Sequence, residues 1–572
     1  MTQLNIENIQ NDNKISSSKA NEIFYLKKVC HILLPLLLNI VFINNIYAQQ
    51  VLGDTLTADF KYLINLLEET HPDPYTGFGG KVFFHNEASD IEQQLKNGAT
   101  LDEFTSLVLS FMSKLEDGHT SIDRIQSNTD VANLSLPIEF MVMQDGLFVS
   151  KISNDKEKFI GSKFHSINGI SLNELCKELG KLRPMENIYG KYDWLSIFIK
   201  NYRQMKYLLP DMQEKASIVL ETLNGNIETI ELMYIDKDSC ENIKMAENPK
   251  FSKIQNVNFL FHDYLDKDKQ AMYFKMSAVM AKEPFSYMRT NAWNNMENML
   301  KDFYTYDLKK EIPANIDEAI AAIPNLSDIF RQMLEKMKTD NAKYLIIDLR
   351  GNGGGFTPII YPTLYMLYGD NYLEKDMNVS LYRLISDLYL KKINTTLENF
   401  NQNKTNYQIG DYISLLSFDE NINIVERRRI LANNSLGEAA DYIKDLGGKP
   451  VYSPEKIFVV TNPQTFSAAF HYAFYLWKMG AILIGVPSGQ APNAYMEITP
   501  FQLPLTKING SISNSFQVFL PANDKRAKIF YPDIMLNWKD YKKYDFNKDS
   551  DLLHLLELLE LNLPSDLPKS GI

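Results

Sequence analysis

Two segments of this 572-residue chain share one layout, and that layout limits the fold more than any other feature of the sequence. Lys343 to Leu349 is an apolar run of strand length. It is followed by Arg350, Gly351, Asn352, Gly353, Gly354 and Gly355, and then by an apolar, helix-like stretch from Thr357. Ile457 to Val460 is a second such run. Thr461, Asn462 and Pro463 turn the chain, Ser467 opens an apolar helix ending at Gly480, and another strand runs from Ala481 to Gly485. Strand, loop, helix, strand is the order of a mostly parallel sheet, whose loops gather at one edge. The fold class is therefore read as α/β, with the two loops expected to meet in space.

A chain of this length exceeds one ordinary core and predicts three or four domains. Phe60, Leu63, Ile64 and Leu67 repeat as one helix face, which Pro72 and Pro74 end. Thr100 and Glu103 stand in capping-box spacing before Phe104, Leu107, Val108 and Phe111, a second helix expected to stop near Gly118. Residues 51–128 thus read as a small helical domain that delivers Asp117, Gly118, His119 and Thr120. Between 132 and 236 the pattern turns β-rich, with Leu147 to Lys151 and Ser217 to Leu220 as strands and Asn168-Gly169 and Asn224-Gly225 as turns. Residues 237–562 read as the core with insertions. The polar and helical stretch after the strand Ala271 to Met276 is expected to be inserted surface structure.

Lys27 and Lys28 precede an apolar run from Val29 to Ile46 that ends in Tyr47, Ala48, Gln49 and Gln50. This is the plan of a secretory signal over residues 1–48, cut after Ala48. The run is close to bilayer-spanning length, so an uncleaved anchor is the competing reading; Asn39, Asn44 and Asn45 weaken it. The expected location is the periplasm or cell envelope. Hydrophobic residues make up 45% and charged ones 23%, the balance of a globular chain. A net charge of -12 argues against nucleic acid or anionic lipid as a partner, because both repel an acidic surface. Outside the signal, Cys176 and Cys240 either pair or remain inert thiols. No Cys/His spacing suggests a metal, and no cofactor is implied.

Ser467 at a helix N-terminus sits where unpaired N–H groups favour negative charge, and the Ala468 N–H is a natural donor to an oxyanion. The same position suits a serine that only caps the helix, so position alone leaves both roles open. The Gly351 to Gly355 loop lacks the Gly-Lys-Ser/Thr ending of a phosphate loop and breaks the dinucleotide spacing. A second oxyanion donor, from Gly353 or Gly354, suits it better. A serine nucleophile needs a base. Among His71, His85, His119, His165, His262, His471 and His554, His119 stands out, lying in a turn past a helix rather than inside an apolar stripe. A histidine serving only the helix dipole is the alternative. Lys478, near the end of the serine's own helix, reads as a C-terminal charge.

Asp348-Leu-Arg-Gly-Asn-Gly-Gly-Gly355 and Thr465-Phe-Ser-Ala-Ala469 resemble the two signature loops of the tail-specific, or C-terminal processing, serine peptidases, a family related to the tricorn core protease. Leu115-Glu-Asp-Gly-His-Thr120 is similar to the family's Asp-Gly-His-Thr element, and Tyr531-Pro-Asp-Ile534 with Asp549 and Asp551 to its closing segment. The resemblance covers most of residues 55 to 560. It implies a crotonase-like spiral core over 237–562 and a PDZ-like domain over 132–236, carried by Leu136-Pro-Ile-Glu-Phe140, Gly146 to Ile152 and Gly161 to Leu172. It also implies an exported endopeptidase cutting unfolded or tail segments of polypeptides, with Ser467 as nucleophile, His119 as base, and Ala468 with Gly353 or Gly354 as oxyanion hole. The chain departs from the Ser/Lys branch by placing Gln490 at the lysine position. Phe470 stands where an acidic residue often follows and Val486 where glutamate is common. These departures motivate the alternative of an inactive relative that binds peptides or apolar ligands, and the acid partner of His119 is unassigned.

Overall fold

The computed structural model describes residues 50–561 apart from 125–131, 248–253, 255–258, 294, 403–404 and 416–421. The signal over residues 1–48 lies outside the described residues. Among those described, no helix is long and apolar enough to cross a membrane.

Helices α1 (Gly53–Thr70), α2 (Lys81–Leu95) and α3 (Leu101–Ser113) pack together at the N-terminal end. The α1 face made by Phe60, Leu63, Ile64 and Leu67 is buried, as its spacing requires. At α3 the Thr100 hydroxyl accepts the Glu103 N–H at 3.2 Å while Glu103 accepts the Thr100 N–H at 2.8 Å, closing the box. The helix ends at Ser113, earlier than its apolar pattern suggests, and the chain turns through Glu116 at φ 50°. Helix α2 has a thin apolar stripe of Phe84, Ala88, Ile91 and Leu95, too sparse to stand out in the sequence.

Strands β1 (Ile138–Met143), β2 (Gly146–Ser153) and β3 (Lys163–Ile167) follow. Helices α4 (Leu172–Leu182) and α5 (Ile188–Lys200), then β4 (Lys215–Glu221), β5 (Ile227–Met233) and β6 (Met245–Glu247) complete an antiparallel sheet in the order β5-β4-β3-β2-β6, with β1 also paired to β2. The sheet reaches past residue 236 because β6 pairs with the end of β2. Cys176 and Cys240 are buried and unpaired, which settles them as thiols; burial raises the Cys176 thiol to about 11 and keeps it unreactive.

Among the described residues, the core sheet has five strands. β7 (Leu260–Tyr264) lies antiparallel to β8 (Ala271–Met276), and β8 is parallel to β9 (Tyr344–Asp348), which follows helix α6 (Leu326–Asp340). After helix α7 (Ile360–Tyr368) and strands β10 (Ser380–Leu384) and β11 (Tyr412–Ser414), the parallel order continues through β12 (Lys456–Thr461), helix α8 (Ala468–Lys478) and β13 (Ile482–Gly485). Side chains alternate across the sheet. Leu345, Ile347 and Val459 face a layer built of α6, α7 and α8, whereas Ile346, Phe458 and Val460 face helix α9 (Ser550–Leu558). Burial on both faces explains why these strands read as unbroken apolar runs.

The stretch after β8 differs from the surface insertion expected of it. Phe330, Met333, Leu334 and Met337 of α6 are fully buried against the sheet, so this helix belongs to the core layer. Strands β14 (Asn493–Gln502) and β15 (Asn509–Val518) form a hairpin that joins β10 and β11 in a second antiparallel sheet. Phe501, Leu503, Ile508 and Ile512 of this hairpin complete the apolar cluster of α1 to α3. The N-terminal helices are thereby fastened beside the serine loop.

Candidate active site

Both loops leave the carboxyl edge of the core sheet from neighbouring strands, because Asp348 of β9 is in register with Val460 of β12. Their contact is dense. The Thr465 hydroxyl donates to the Leu349 carbonyl at 2.9 Å, the Phe466 N–H to the Asn352 carbonyl at 3.0 Å, and the Gly351 N–H to Asn462 Oδ1 at 3.0 Å. A Cβ on Gly354 would lie 2.7 Å from Ser467 Cβ and 2.9 Å from the Ala468 nitrogen, so only glycine lets the loops approach this closely.

Ser467 has φ 53° and ψ -123°, a conformation few non-glycine residues adopt. It precedes α8, yet its side chain makes no capping bond. The capping role that position alone allowed is thus not the one it has. Strain of this kind persists where the surroundings hold it, as at the tight strand-to-helix turns that expose nucleophiles. Here the Ser467 N–H is held by Gln490 Oε1, Gln490 by the Ser488 hydroxyl, and Ser488 by the Thr465 carbonyl. The residue at the lysine position of the Ser/Lys branch therefore reaches the serine, through its backbone.

The amides around Ser467 differ in what they can offer. The Gly354 N–H donates to Asn352 Oδ1 at 2.9 Å and the Ser467 N–H to Gln490. Among the described residues, the Gly353 and Ala468 N–H groups make no hydrogen bond, which leaves this pair open to an oxyanion.

The start of the glycine loop is clamped by charge. Arg350 bonds Asp348 in a fork, at 3.0 Å from Nε to Oδ1 and 2.7 Å from Nη2 to Oδ2. It also reaches Asp549 at 2.9 Å and the Lys548 carbonyl at 3.1 Å. Tyr273 adds a hydroxyl to Asp348 at 2.8 Å. Burial opposes the Asp348 charge, but Arg350 and Lys275 hold its carboxyl far below the usual range. The closing segment containing Asp549 thus anchors the loop that faces Ser467.

His119 comes to the site from the turn after α3. Ser121 and Ile122 pair with Ser511 and Gly510 of β15, the Ser511 hydroxyl donates to the His119 carbonyl at 3.0 Å, and the Ser513 N–H donates to the Thr120 hydroxyl at 2.9 Å. The imidazole lies against the ring of Phe466, the residue before Ser467, with centroids 4.9 Å apart. The N-terminal histidine and the distant serine loop are therefore side by side. Among the other histidines, His471 shares the serine's helix but is tied to Gln517 at 2.8 Å, and His71 is tied to Asp117 at 3.3 Å.

Two carboxylates face His119. Asp117 Oδ1 and Glu186 Oε1 each lie 3.9 Å from Nδ1. Asp117 is already engaged, accepting the His119 N–H at 2.8 Å, His71, and the Thr120 hydroxyl. Burial opposes its charge, yet the bond and charge of His71 bring its carboxyl down to about 2. Glu186, which the sequence reading passed over, accepts the Ala491 N–H at 2.5 Å through Oε2 while Oε1 stays unbonded. Burial pushes its carboxyl well above the usual range, with the Asp117 charge adding to the effect. The only local signal was Asn187, whose Oδ1 caps α5 and whose amide reaches the Ser488 carbonyl at 3.0 Å. Burial lowers the His119 imidazole below its ordinary value, against the pull of Asp117.

The other departures from the family pattern have packing explanations. Phe470 lies in the core against Phe530 and Phe474, and Val486 is buried with its carbonyl accepting the Thr461 hydroxyl at 3.0 Å. Lys478 rests over Phe474 and Trp477 at the end of α8, away from the catalytic turn.

Residues 315–501 match the model of peptidase family S41. The chain also superposes on a crystal structure of mature CPAF with a TM-score of 0.52 at 14% identity, covering 90% of this chain and 99% of that one. A structure of mature CPAF complexed with lactacystin gives 0.50 at 13%, covering 88% and 99%. At such identities the likeness is one of fold. No curated protein matches the chain. The matched core and its two loops define a serine peptidase, a hydrolase acting on polypeptides. The likeness to peptidase family S41 is carried by that matched stretch. The matched span holds both loops but begins after His119 and Glu186, so their roles rest on geometry alone.

Proposed function

We propose that the chain is an exported endopeptidase that cuts unfolded or tail segments of proteins, with Ser467 as nucleophile and His119 as its general base. In this reading the serine hydroxyl attacks the scissile carbonyl as its proton passes to the imidazole. The oxyanion is received by the Ala468 and Gly353 amides, and the imidazolium returns the proton to the leaving amine. Gly354, the other donor the sequence offered, shapes the loop instead, since its amide is occupied by Asn352. The observation that carries the reading is a strained, uncapped Ser467 packed on Gly354, with the His119 ring against its chain neighbour.

Burial favours the neutral imidazole, the form a base needs. A crotonase-like core over 237–562, a PDZ-like unit over 132–236 and a helical cap over 51–128 belong to the same proposal. So does export through residues 1–48 to the periplasm or cell envelope. The groove between β1 and α5, where Phe140, Met141 and Val142 face Asp193 and Ser196, leads to Asn462 and Gln464 beside the serine turn, a path suited to an extended tail.

A fluorophosphonate probe tests the assignment. Wild-type protein is expected to be labelled, Ser467→Ala to lose the label while keeping its fold, and His119→Ala to lose casein cleavage. Undiminished labelling of Ser467→Ala would show that another nucleophile reacts.

A further inference from the structure

Asp117 and His119 from one turn and Glu186 from a distant one converge on one enclosed point. Each supplies a donor atom, and the three atoms lie within 4.8 Å of one another. His119 and Glu186 are almost wholly buried, yet both ring nitrogens of His119 and Glu186 Oε1 make no hydrogen bond of ordinary geometry among the described residues. The Tyr495 carbonyl also acts on the ring, and the Gly118 N–H on the Glu186 carboxylate, as looser hydrogen-bonding neighbours. Buried polar atoms are nearly always bonded, so the unbonded His119 Nδ1 and Glu186 Oε1, facing each other beside Asp117 Oδ1, form a donor cluster suited to a cation.

We infer that this cluster is an inhibitory Zn²⁺ site, an inference that rests on His119 being the base. One imidazole and two carboxylates form a donor set that suits zinc, whereas calcium and magnesium prefer oxygen alone. Zinc bonds of about 2.0–2.2 Å would set tetrahedral donors roughly 3.4 Å apart. The 3.9 Å separations from His119 Nδ1 therefore need to close by about half an ångström, within the reach of side-chain rotation.

The consequence for the reaction follows from the two ring nitrogens. An ion on Nδ1 takes the lone pair there and leaves the single imidazole proton on Nε2. Nε2 then has no lone pair to accept the Ser467 proton. With no ion bound, Glu186 can instead accept an Nδ1 proton, which frees Nε2 to act as base. One carboxylate thus serves either to orient the base or to hold the ion that silences it. The ion is an inhibitor, distinct from a cofactor, and no step of peptide hydrolysis passes through it.

The test is calorimetric titration of zinc chloride into the full chain carrying Ser467→Ala, which cannot turn over, with fold checked by circular dichroism. One ion per chain is expected, with at least tenfold weaker binding after Glu186→Gln or Asp117→Asn. Should those variants unfold, cobalt added to the Ser467→Ala chain gives a second readout, since nitrogen and carboxylate ligation produces visible absorption bands. Absence of binding and of those bands, or zinc affinity unmoved by both substitutions, overturns the site. A parallel arm measures fluorophosphonate labelling of wild-type protein with zinc and then with EDTA. Labelling that stops and recovers supports both the site and the base. Binding that depends on Glu186 while labelling runs unhindered keeps the ion site and removes His119 from the base's role.

Discussion

Adding one methyl group to either of two adjacent glycines separates the loop contact from the chemistry beside it. Gly354 has φ +102°, and a Cβ there would meet the Phe466 carbonyl oxygen and Ser467 Cβ at 2.7 Å and the Ala468 nitrogen at 2.9 Å. All three atoms belong to the serine turn, and none is the far end of a flexible side chain. Gly354→Ala therefore combines backbone strain of about 1–3 kcal/mol with overpacking of about 1–3 kcal/mol, for a loss of roughly 2–6 kcal/mol in stability. Restoring van der Waals separation moves Ser467 by the better part of an ångström, and a misplacement of about 1 Å costs on the order of 100-fold in rate. Gly353 is the control, since nothing lies within 4 Å of its Cβ position and it does not adopt the left-handed conformation. Gly353→Ala is expected to keep its stability within about 0.5 kcal/mol, as for a substitution that meets no neighbour. Urea unfolding and the second-order rate of fluorophosphonate labelling measure the two effects. Wild-type labelling by Gly354→Ala, or equal destabilisation by both variants, would falsify the claim that the glycine loop sets the position of the nucleophile.

Ser467→Gly removes the Cβ from a conformation at φ 53° and is expected to raise unfolding stability by about 1–2 kcal/mol while abolishing labelling; a loss of stability in urea contradicts the strain argument. Arg350→Ala strips the fork from Asp348 and leaves it and Asp549 with less compensation. The expected cost is about 3–5 kcal/mol in urea, and a change under 1 kcal/mol shows that the clamp is dispensable. The pH profile carries its own sign. A base must be neutral, and burial lowers the His119 imidazole, so the acid limb of kcat/KM is expected below pH 6.5. Asp117→Asn removes the charge that opposes this shift and should move the limb lower still; a limb that moves upward excludes His119 as the group it reports.

How much of this was readable in sequence depended on the range of the interactions. The capping box of Thr100 and Glu103 closes over three residues, and the β9 and β12 runs carry their burial in their own composition, so both were visible locally. The two loops could be paired because parallel strands leave few places for their ends to go. The core role of α6 was hidden by its polar outer face, which dominates the window although Phe330, Met333, Leu334 and Met337 sit on one buried stripe. Glu186 was hidden for a different reason. It lies outside regular structure, and its partners are 67 residues back at His119 and 305 ahead at Ala491. No periodicity marks such a residue.

The same long-range contacts decide what makes the site a unit. His119 rides on a two-residue pairing with β15, Ser467 is held through Gln490, and Glu186 touches both the histidine and the amide that follows Gln490. Glu186 immediately precedes Asn187, which caps α5 and bonds the Ser488 carbonyl, and α5 packs against β1 along the groove proposed for the tail. A tail entering between β1 and α5 would press on the helix whose N-cap directly follows the carboxylate facing the base. Binding energy gained far from the scissile bond can then be spent on aligning His119 with Ser467, the use of remote contacts that raises kcat rather than merely lowering KM.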